Sequence, residues 1–249
     1  EEDRELYNLV WNARVTKNTD KTKNYALKHN IDAEFCKRNY NIQYLEHINK
    51  QAIRTVFDGG FYNGINALSF KHNFPNLETI YAFEPMYDKF RNNIYDKFIQ
   101  EGNFCQIVNY GLWDKETELD FAEDISDGSA SKVISGNIPA GDKHSITTIK
   151  TTTIDNFKQK NNISKIDFIK MDMEGAEFPA LKGGIKALES DRPQLAISIY
   201  HSHEDFINIP IWLNNLLKNY TLRLGHYSNN INETVLYAIP NELYNYTSK

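Results

Sequence analysis

The sequence predicts an α/β protein with a doubly wound, mostly parallel sheet. From residue 55 onward, short apolar runs rich in β-branched residues alternate with longer segments of helical spacing. Such an alternation implies parallel strands joined by right-handed crossovers. The first run ends in an acidic, glycine-rich turn, 58–64, that leads directly into a helix. Because open sheets of this class bind ligands at the carboxyl ends of their strands, we expect this turn to belong to the functional site.

Length and composition are those of an ordinary globular protein. The chain of 249 residues suffices for one large α/β domain with an additional segment. A net charge of −5, without a dense block of Lys and Arg, argues against a nucleic-acid partner. Apolar stretches fall far short of the roughly 18 residues that span a bilayer, and the first residues, EEDRELYN, lack signal-peptide character.

The cysteines predict a reducing environment. Cys36 and Cys105 are distant in sequence and form no C-x-x-C pair, so we expect no cysteine metal or redox motif. A cytoplasmic location is the simplest interpretation. Whether the chain forms a homo-oligomer stays open at this point.

Residues 1–50 are predicted to form two or three helices, because apolar residues such as Leu6, Leu9 and Val10 recur at loosely helical spacing. We expect this N-terminal segment to cap the sheet, with a lid or a dimerisation element as the alternative. Residues 51–249 form the predicted main domain.

The first half of the main domain is predicted to contain three strands, two helices, a hairpin strand and a long polar loop. In order, these are strand 55–60, helix 64–73, strand 79–85, helix 86–101, strand 104–112, strand 118–122 and loop 124–143. Loops of this length inside a compact domain are either functional or disordered, and both interpretations remain open.

The second half continues the alternation and closes with an antiparallel pair. The predicted elements are strand 145–153, a helix to about residue 161, strand 166–173, helix 177–189, strand 194–201, helix 204–219 and strands 220–228 and 233–240. Gly183 and Gly184 weaken the 177–189 helix by roughly 1 kcal/mol each. Seven of these strands make up the principal sheet.

The glycine-rich turn excludes two common phosphate sites. No Gly-Lys-Ser/Thr follows it, and its glycines are spaced G-G-x-x-x-G rather than G-x-G-x-x-G. A carboxylate at Asp58 would repel a pyrophosphate, but it suits a ligand with a cationic or hydroxyl-rich part. A purely structural tight turn is the alternative.

Glu84 indicates a nucleoside ligand. It closes the second strand, where a carboxylate can accept hydrogen bonds from both ribose hydroxyls. Met86 and Trp113 are candidates to contact a purine, although a tryptophan after a strand often belongs to the core. Asp172, Glu174 and residues 200–203 follow later strands that end at the same edge.

These residues resemble the FkbM-type methyltransferases, a branch of the class I enzymes that use S-adenosyl-L-methionine. The resemblance covers roughly residues 52–240, and its motifs occur in the order of the family. They are Asp58-Gly59-Gly60 with Tyr62-Asn63-Gly64, 82–85, 152–155, 167–177, 181–184 and Arg192-Pro193. The resemblance implies a Rossmann-like, seven-stranded sheet with an antiparallel last strand, and it makes 51–249 the cofactor-binding methyltransferase domain. Phe61 departs from the small residue that the family usually has.

Carried over by position, the resemblance implies a cofactor site and a substrate class. The implied cofactor residues are Asp58, Gly60, Phe61, Tyr62, Asn63, Gly64, Glu84, Pro85, Met86, Gly111, Leu112 and Trp113. Asp172 and Glu174 would form an acidic rim of the methyl-transfer site. Many relatives methylate sugar hydroxyls of surface polysaccharides such as capsules, and others methylate macrolides. We therefore expect O-methylation of a nucleotide-activated or polysaccharide-linked sugar.

A hydroxyl acceptor needs a base to remove its proton. His201 closes a strand and is the preferred candidate, because an imidazole needs little perturbation to act near neutral pH. Asp172 is the second choice, and His144, His203 and His226 are further candidates. Asp172 and Glu174 would alternatively suit a divalent cation, which their spacing does not establish.

Other functions remain open at the level of sequence. A nicotinamide-dependent Rossmann oxidoreductase shares the fold and the acidic ribose ligand, but its G-x-G-x-x-G pattern is missing. An inactive cofactor-binding paralogue is the other alternative, for which Phe61 is the sequence hint. The pyrophosphate of a sugar nucleotide would need cations, for which Lys132, Lys143, Arg14 and Lys17 are the candidates.

Overall fold

The computed structural model describes residues 1–29, 31, 42–87, 102–124, 132–133 and 144–244. For 121–124, 132–133 and 144–145 it describes the backbone alone. Most of the predicted helix 86–101, most of the polar loop 124–143 and Cys36 lie outside this part of the chain.

The elements follow the predicted alternation. In chain order they are α1 (Glu2–Thr16), α2 (Asp20–Lys28), β1 (Thr55–Gly59), α3 (Ile65–Asn73), β2 (Thr79–Phe83), β3 (Cys105–Val108), β4 (Gly111–Leu112), β5 (Glu118–Asp124), β6 (Lys132–Val133), β7 (His144–Thr152), α4 (Ile154–Lys160), β8 (Phe168–Met171), α5 (Glu177–Lys182), α6 (Ile185–Asp191), β9 (Gln194–Ser198), α7 (His203–Leu216), β10 (Tyr220–His226), β11 (Thr234–Pro240) and α8 (Asn241–Tyr244), with a 3-10 turn at Lys50–Ala52.

Seven strands are hydrogen-bonded into one sheet in the order β10-β11-β9-β8-β1-β2-β3. β1 pairs in parallel with both β2 and β8, and β2 pairs in parallel with β3. β11, the last strand in sequence, is antiparallel to both of its neighbours. The predicted α/β fold, a seven-stranded sheet with an antiparallel last strand, is therefore confirmed.

Packing divides the chain into two compact units. Residues Ile53–Arg192 form one unit, and Glu1–Ala52 together with Pro193–Lys249 form the other. The first of these, called here the cofactor unit, contains β1 to β8 and α3 to α6. The other, called here the terminal unit, contains both chain ends.

The core of the cofactor unit lies directly beneath its strand ends. Every residue of β8 is buried, as expected of a parallel strand that is covered on both faces. The rings of Phe57 and Phe83 lie 5.3 Å apart, and Phe157 of α4 packs edge-on against both. Burying one such phenylalanine side chain stabilises the fold by about 1.5–3 kcal/mol. The packed rings therefore hold together the strands whose ends form the candidate site.

The predicted strand 104–112 is wrong as a single element. The structure divides it into β3, which belongs to the seven-stranded sheet, and β4, which joins a second sheet in the order β4-β7-β5-β6. The chain turns between them, where the Tyr110 N–H donates to the Val108 carbonyl at 2.8 Å. Exposed Asn109 and Tyr110 occupy this turn. The segment resembles one strand in sequence because apolar residues lie on both sides of the turn.

The predicted helix 177–189 is also wrong as a single element, because α5 and α6 are separate. A Cβ added to Gly183 would lie 2.2 Å from the Trp113 carbonyl oxygen. The two glycines thus end one helix and begin the next where another backbone passes close by.

The terminal unit contains the predicted N-terminal helices. α1 buries Leu6, Val10 and Ala13 along one face, together with Arg14. The Arg14 guanidinium donates to the carbonyls of Tyr200 and Ile231 at 2.7 and 2.8 Å. Arg14 therefore has a structural role in this unit, which disfavours it as a ligand of a substrate pyrophosphate. Among the described residues, no helix is both long and apolar enough to cross a bilayer.

Candidate cofactor site

The glycine-rich turn connects the ends of three parallel strands. Gly60 has a φ of 78°, and a Cβ there would lie 1.8 Å from the Asp172 carbonyl oxygen. No side chain is compatible with this approach. The Gly60 and Phe61 amides both point to the Phe83 carbonyl, at 3.2 and 3.4 Å, and the Gly59 carbonyl accepts from the Asp172 amide at 3.0 Å.

Between the turn and α3, two residues adopt the left-handed backbone conformation. Tyr62 has a φ of 45° and Gly64 a φ of 72°, and the conformation is uncommon for a residue such as tyrosine. The Gly64 amide donates to the Phe61 carbonyl at 2.8 Å, and Asn63 Oδ1 accepts from the Ile65 amide at 3.1 Å. Tyr62, with 38% of its surface exposed, is the most accessible residue of the turn.

Glu84 joins this turn to the end of β2. Its Oε2 accepts from the Tyr62 amide at 3.0 Å and its Oε1 from the Met86 amide at 3.1 Å. The side chain is nearly buried, and burial raises the pKa of its carboxyl, although both backbone hydrogen bonds oppose that shift. A carboxylate accepts about four hydrogen bonds, so each oxygen keeps acceptor capacity for a further donor. This arrangement fits the ribose of a nucleoside cofactor.

Asp58 is a fully buried carboxylate at the end of β1. Lys170 Nζ lies 3.1 Å from Asp58 Oδ1 as an ion pair. Neither carboxylate oxygen has an aligned hydrogen-bond donor among the residues that the structure describes. Burial raises the pKa of Asp58, and the charge of Lys170 opposes this rise. Because Lys170 pairs with Oδ1, Oδ2 is the oxygen that fits a ligand with a cationic or N–H group.

The remaining predicted cofactor residues lie at the ends of β2 and β4. Leu112 Cδ1 would lie 3.5 Å from a Cβ on Gly59, so β4 reaches the glycine turn. Met86 and Leu112 are buried, while Pro85, Gly111 and Trp113 are half-buried. The Trp113 amide donates to the Thr152 carbonyl at 2.9 Å.

Phe61, the residue that departs from the family pattern, is 2% exposed. Its side chain is therefore part of the packed interior beneath the turn. An aromatic ring at this position is therefore accommodated by burial.

The acidic turn after β8 is held by a buried glutamate. Glu174 and Gly175 have φ values of 53° and 97°. Glu177, fully buried, accepts from the Met173 amide at 2.6 Å and the Gly175 amide at 2.9 Å. Asp172 and Glu174 are half-buried in this turn.

The sequence pattern predicts no site role for Lys170 or Glu177. Both belong to the motif IDFIKMDMEGAE. In the structure Lys170 donates to two backbone carbonyls, and Glu177 accepts from two backbone amides. The available signal was the burial of β8, because a lysine inside an otherwise apolar strand needs a specific partner.

The preferred base, His201, belongs to the terminal unit, whereas Asp172 and Glu174 belong to the cofactor unit. His201 follows β9 and is half-buried, and its ring centroid lies 4.1 Å from that of Tyr200. The next residue, Ser202, caps α7 by accepting from the Asp205 amide at 2.9 Å.

The other candidate histidines differ in their surroundings. His226 is 1% exposed and bonds through Nδ1 to Thr234 Oγ1 at 2.9 Å, and burial lowers its pKa to about 4. This burial disfavours His226 as a base. His203 is exposed and packs edge-on against Trp11. The side chain of His144 lies outside the described residues.

Comparison with known proteins decides the family. The profile of the methyltransferase FkbM domain matches residues 58–224. The chain belongs to the FkbM methyltransferase family. The match starts at Asp58 and spans every residue of the expected cofactor site. S-adenosyl-L-methionine is the cofactor that this membership assigns to the chain, so the expected cofactor is confirmed and the nicotinamide alternative is set aside.

One solved structure shares the fold. The FkbM methyltransferase from Methylobacillus flagellatus KT is 19% identical with a TM-score of 0.68, over 92% of this chain and 52% of that protein. The chain thus spans about half the length of that relative. Two other structures are more distant. An rRNA methylase from Streptococcus thermophilus is 14% identical with a TM-score of 0.46, over 78% of this chain and 92% of that protein. A putative caffeoyl-CoA O-methyltransferase from Staphylococcus aureus is 13% identical with a TM-score of 0.45, over 94% of this chain and 98% of that protein. None of the curated protein sequences matches.

Proposed function

We propose that the chain is an S-adenosylmethionine-dependent O-methyltransferase that acts on a hydroxyl of a nucleotide-activated or polysaccharide-linked sugar. Membership of the FkbM family supports methyl transfer. The sugar and the oxygen acceptor rest on the family resemblance and on the chemistry of the acidic turn after β8.

The observation that carries the cofactor part of the proposal is the Glu84 carboxylate. Two amides from different loops hold it in one orientation, at 3.0 and 3.1 Å, and its remaining lone pairs suit the two ribose hydroxyls. We assign the methionine and ribose end to residues 58–64 and the adenine side to Pro85, Met86 and residues 111–113.

The bound cofactor would supply an electrophilic methyl group on a sulfonium. The residues of the chain would then align the acceptor oxygen with that methyl, and such alignment is worth up to roughly 7–11 kcal/mol. Asp58, with its buried carboxylate, suits the cationic end of the cofactor.

A first experiment changes Glu84→Ala and measures S-adenosylmethionine binding by calorimetry. Two hydrogen bonds to a charged group are lost, so we expect the dissociation constant to rise at least about 100-fold. The matched control is Glu78→Ala, because Glu78 is an exposed glutamate of the same unit that pairs with Arg54. Folded Glu84→Ala protein that binds within about threefold of wild type would contradict the ribose assignment.

The negative charge of the turn after β8 supports a sugar as the methyl acceptor. Asp172 and Glu174 offer carboxylate oxygens, which suit a polyol better than a bare phosphate. Purified protein is incubated with labelled S-adenosylmethionine and a panel of sugar nucleotides, glycans, peptides and RNA. We expect label in a sugar. Efficient methylation of peptide or RNA, with every sugar ignored, would leave the cofactor assignment intact and contradict the substrate.

For the base we propose His201, with Asp172 as the alternative. A positioned base contributes about 10²- to 10⁴-fold to the rate. We therefore expect His201→Gln to slow turnover by at least about 100-fold with nearly unchanged cofactor affinity. Full activity in His201→Gln, combined with an inactive Asp172→Asn, would assign the base to the carboxylate.

A further inference from the structure

Lys170 places an ammonium group inside the cofactor unit, where only 1% of its side chain is exposed. It lies on β8 opposite Asp58 of β1, and the two residues are direct partners in the parallel register. A buried ammonium is costly unless it is both paired and hydrogen-bonded. Its partners therefore indicate its role.

Two of these partners are carbonyls of the glycine-rich turn. Lys170 Nζ donates to the Gly60 carbonyl at 2.8 Å and to the Gly59 carbonyl at 3.2 Å. The Gly59 carbonyl also accepts from the Asp172 amide at 3.0 Å. For the Gly60 carbonyl, which lies beyond the end of β1, Lys170 is the donor that the structure describes.

The same peptide leads to the proposed ribose ligand. On its other side, the Gly60 amide donates to the Phe83 carbonyl, and two residues later the Tyr62 amide donates to Glu84 Oε2. Lys170 thus holds one end of a segment whose other end orients Glu84.

We propose that Lys170 is a positioning residue for the cofactor: its ammonium fixes the Gly59–Gly60 carbonyls and so holds the turn in the shape that receives S-adenosylmethionine. This inference rests on the proposed function. It goes beyond charge balance, since an ammonium that only neutralised Asp58 would not need the two carbonyls.

The test separates these two roles with three variants: Asp58→Asn, Lys170→Met and the double variant Asp58→Asn/Lys170→Met. Lys170→Met leaves the Asp58 carboxylate buried and unpaired, so we expect a large loss of stability in chemical denaturation. The double variant removes both charges and should recover most of that loss. Asp58→Asn alone leaves the lysine donors to both carbonyls in place.

Affinity for S-adenosylmethionine, measured by calorimetry, is the decisive readout. We expect the double variant to bind at least about tenfold more weakly than Asp58→Asn alone, because the carbonyls have lost a charged donor. This comparison holds even if Lys170→Met does not fold. Equal affinity of the two variants would overturn the inference and leave Lys170 with charge balance alone.

A second ion pair in the same unit provides the control. Lys158 Nζ lies 2.6 Å from Asp191 Oδ1, and Asp191 also accepts from the Ile166 amide at 2.8 Å. Neither residue bonds to the glycine turn in the described structure. Lys158→Met should lower stability while leaving affinity for S-adenosylmethionine within about twofold. A wild-type chain that does not bind S-adenosylmethionine overturns the proposed function, whereas normal wild-type binding with no effect in the double variant overturns the inference alone.

Discussion

Buried charged side chains in the cofactor unit bind backbone groups at the points where elements end. Glu84 and Glu177 each accept from two amides, and Lys170 donates to two carbonyls. An unpaired backbone group costs about 1–3 kcal/mol when buried. These residues therefore stabilise irregular turns that regular hydrogen bonding cannot reach, and the turns are those assigned to the cofactor and substrate.

His226 predicts how stability depends on pH. Its pKa is lowered to about 4, first by burial and further by the charge of Arg14, whereas an ordinary histidine has a pKa of about 6.5. The unfolded chain therefore binds the proton more readily between these values. The contribution of His226 is fully present above pH 6.5 and is lost as the pH falls through about 4, by up to about 3 kcal/mol.

The measurement is the free energy of unfolding of wild type and His226→Gln between pH 4 and pH 7.5. The advantage of wild type at neutral pH should shrink as the pH falls, because glutamine does not titrate. His72→Gln, at an exposed site on α3, is the control and should follow wild type. Parallel curves for wild type and His226→Gln would contradict the prediction.

At the scale of elements, two predicted elements are divided, one by the close approach of another backbone and one by a local turn. α5 and α6 separate where Gly183 passes the Trp113 carbonyl. β3 and β4 separate at a tight turn and enter different sheets.

Gly183→Ala tests this account of the helix break. Its Cβ would meet a backbone oxygen at 2.2 Å, which cannot move as a side chain can, so we expect a loss of about 1–3 kcal/mol in chemical denaturation. Gly111→Ala is the matched control, because its nearest neighbour is the end of the Ile149 side chain at 3.4 Å. A Gly183→Ala protein as stable as the Gly111→Ala protein would show that the approach does not limit the break.

At the scale of the whole molecule, we propose that cofactor binding and acceptor selection depend on different parts of the chain. The proposed cofactor residues lie at the ends of β1, β2 and β4 within the cofactor unit. We propose that the polar segment 124–143, which connects β5 to β7 and includes β6, contributes to acceptor binding. β5 and β7 form an antiparallel pair in which Asp124 is opposite His144.

Because Asp124 and His144 are opposite each other, a short turn can replace the segment between them. Residues 125–143, which include β6, are exchanged for Asn-Gly, because this dipeptide favours the tight turn between paired antiparallel strands. We expect S-adenosylmethionine to bind as in wild type, within about twofold, and methylation of the sugar acceptor to be lost. Calorimetry and the labelled-methyl assay measure the two functions separately. Undiminished sugar methylation in the shortened protein would exclude the loop from acceptor binding.

The sequence by itself determined the fold class, the family and the residues at the strand ends. Apolar periodicity, the acidic glycine turn and Glu84 are local patterns, so they can be recognised without knowing which strands are neighbours. The tertiary structure decided the partners. Lys170 meets Asp58 because the register of β1 and β8 places residues 112 positions apart opposite each other, and Gly183 ends a helix because a distant carbonyl passes beside it. These contacts depend on long-range pairing and packing, which no local pattern of residues specifies.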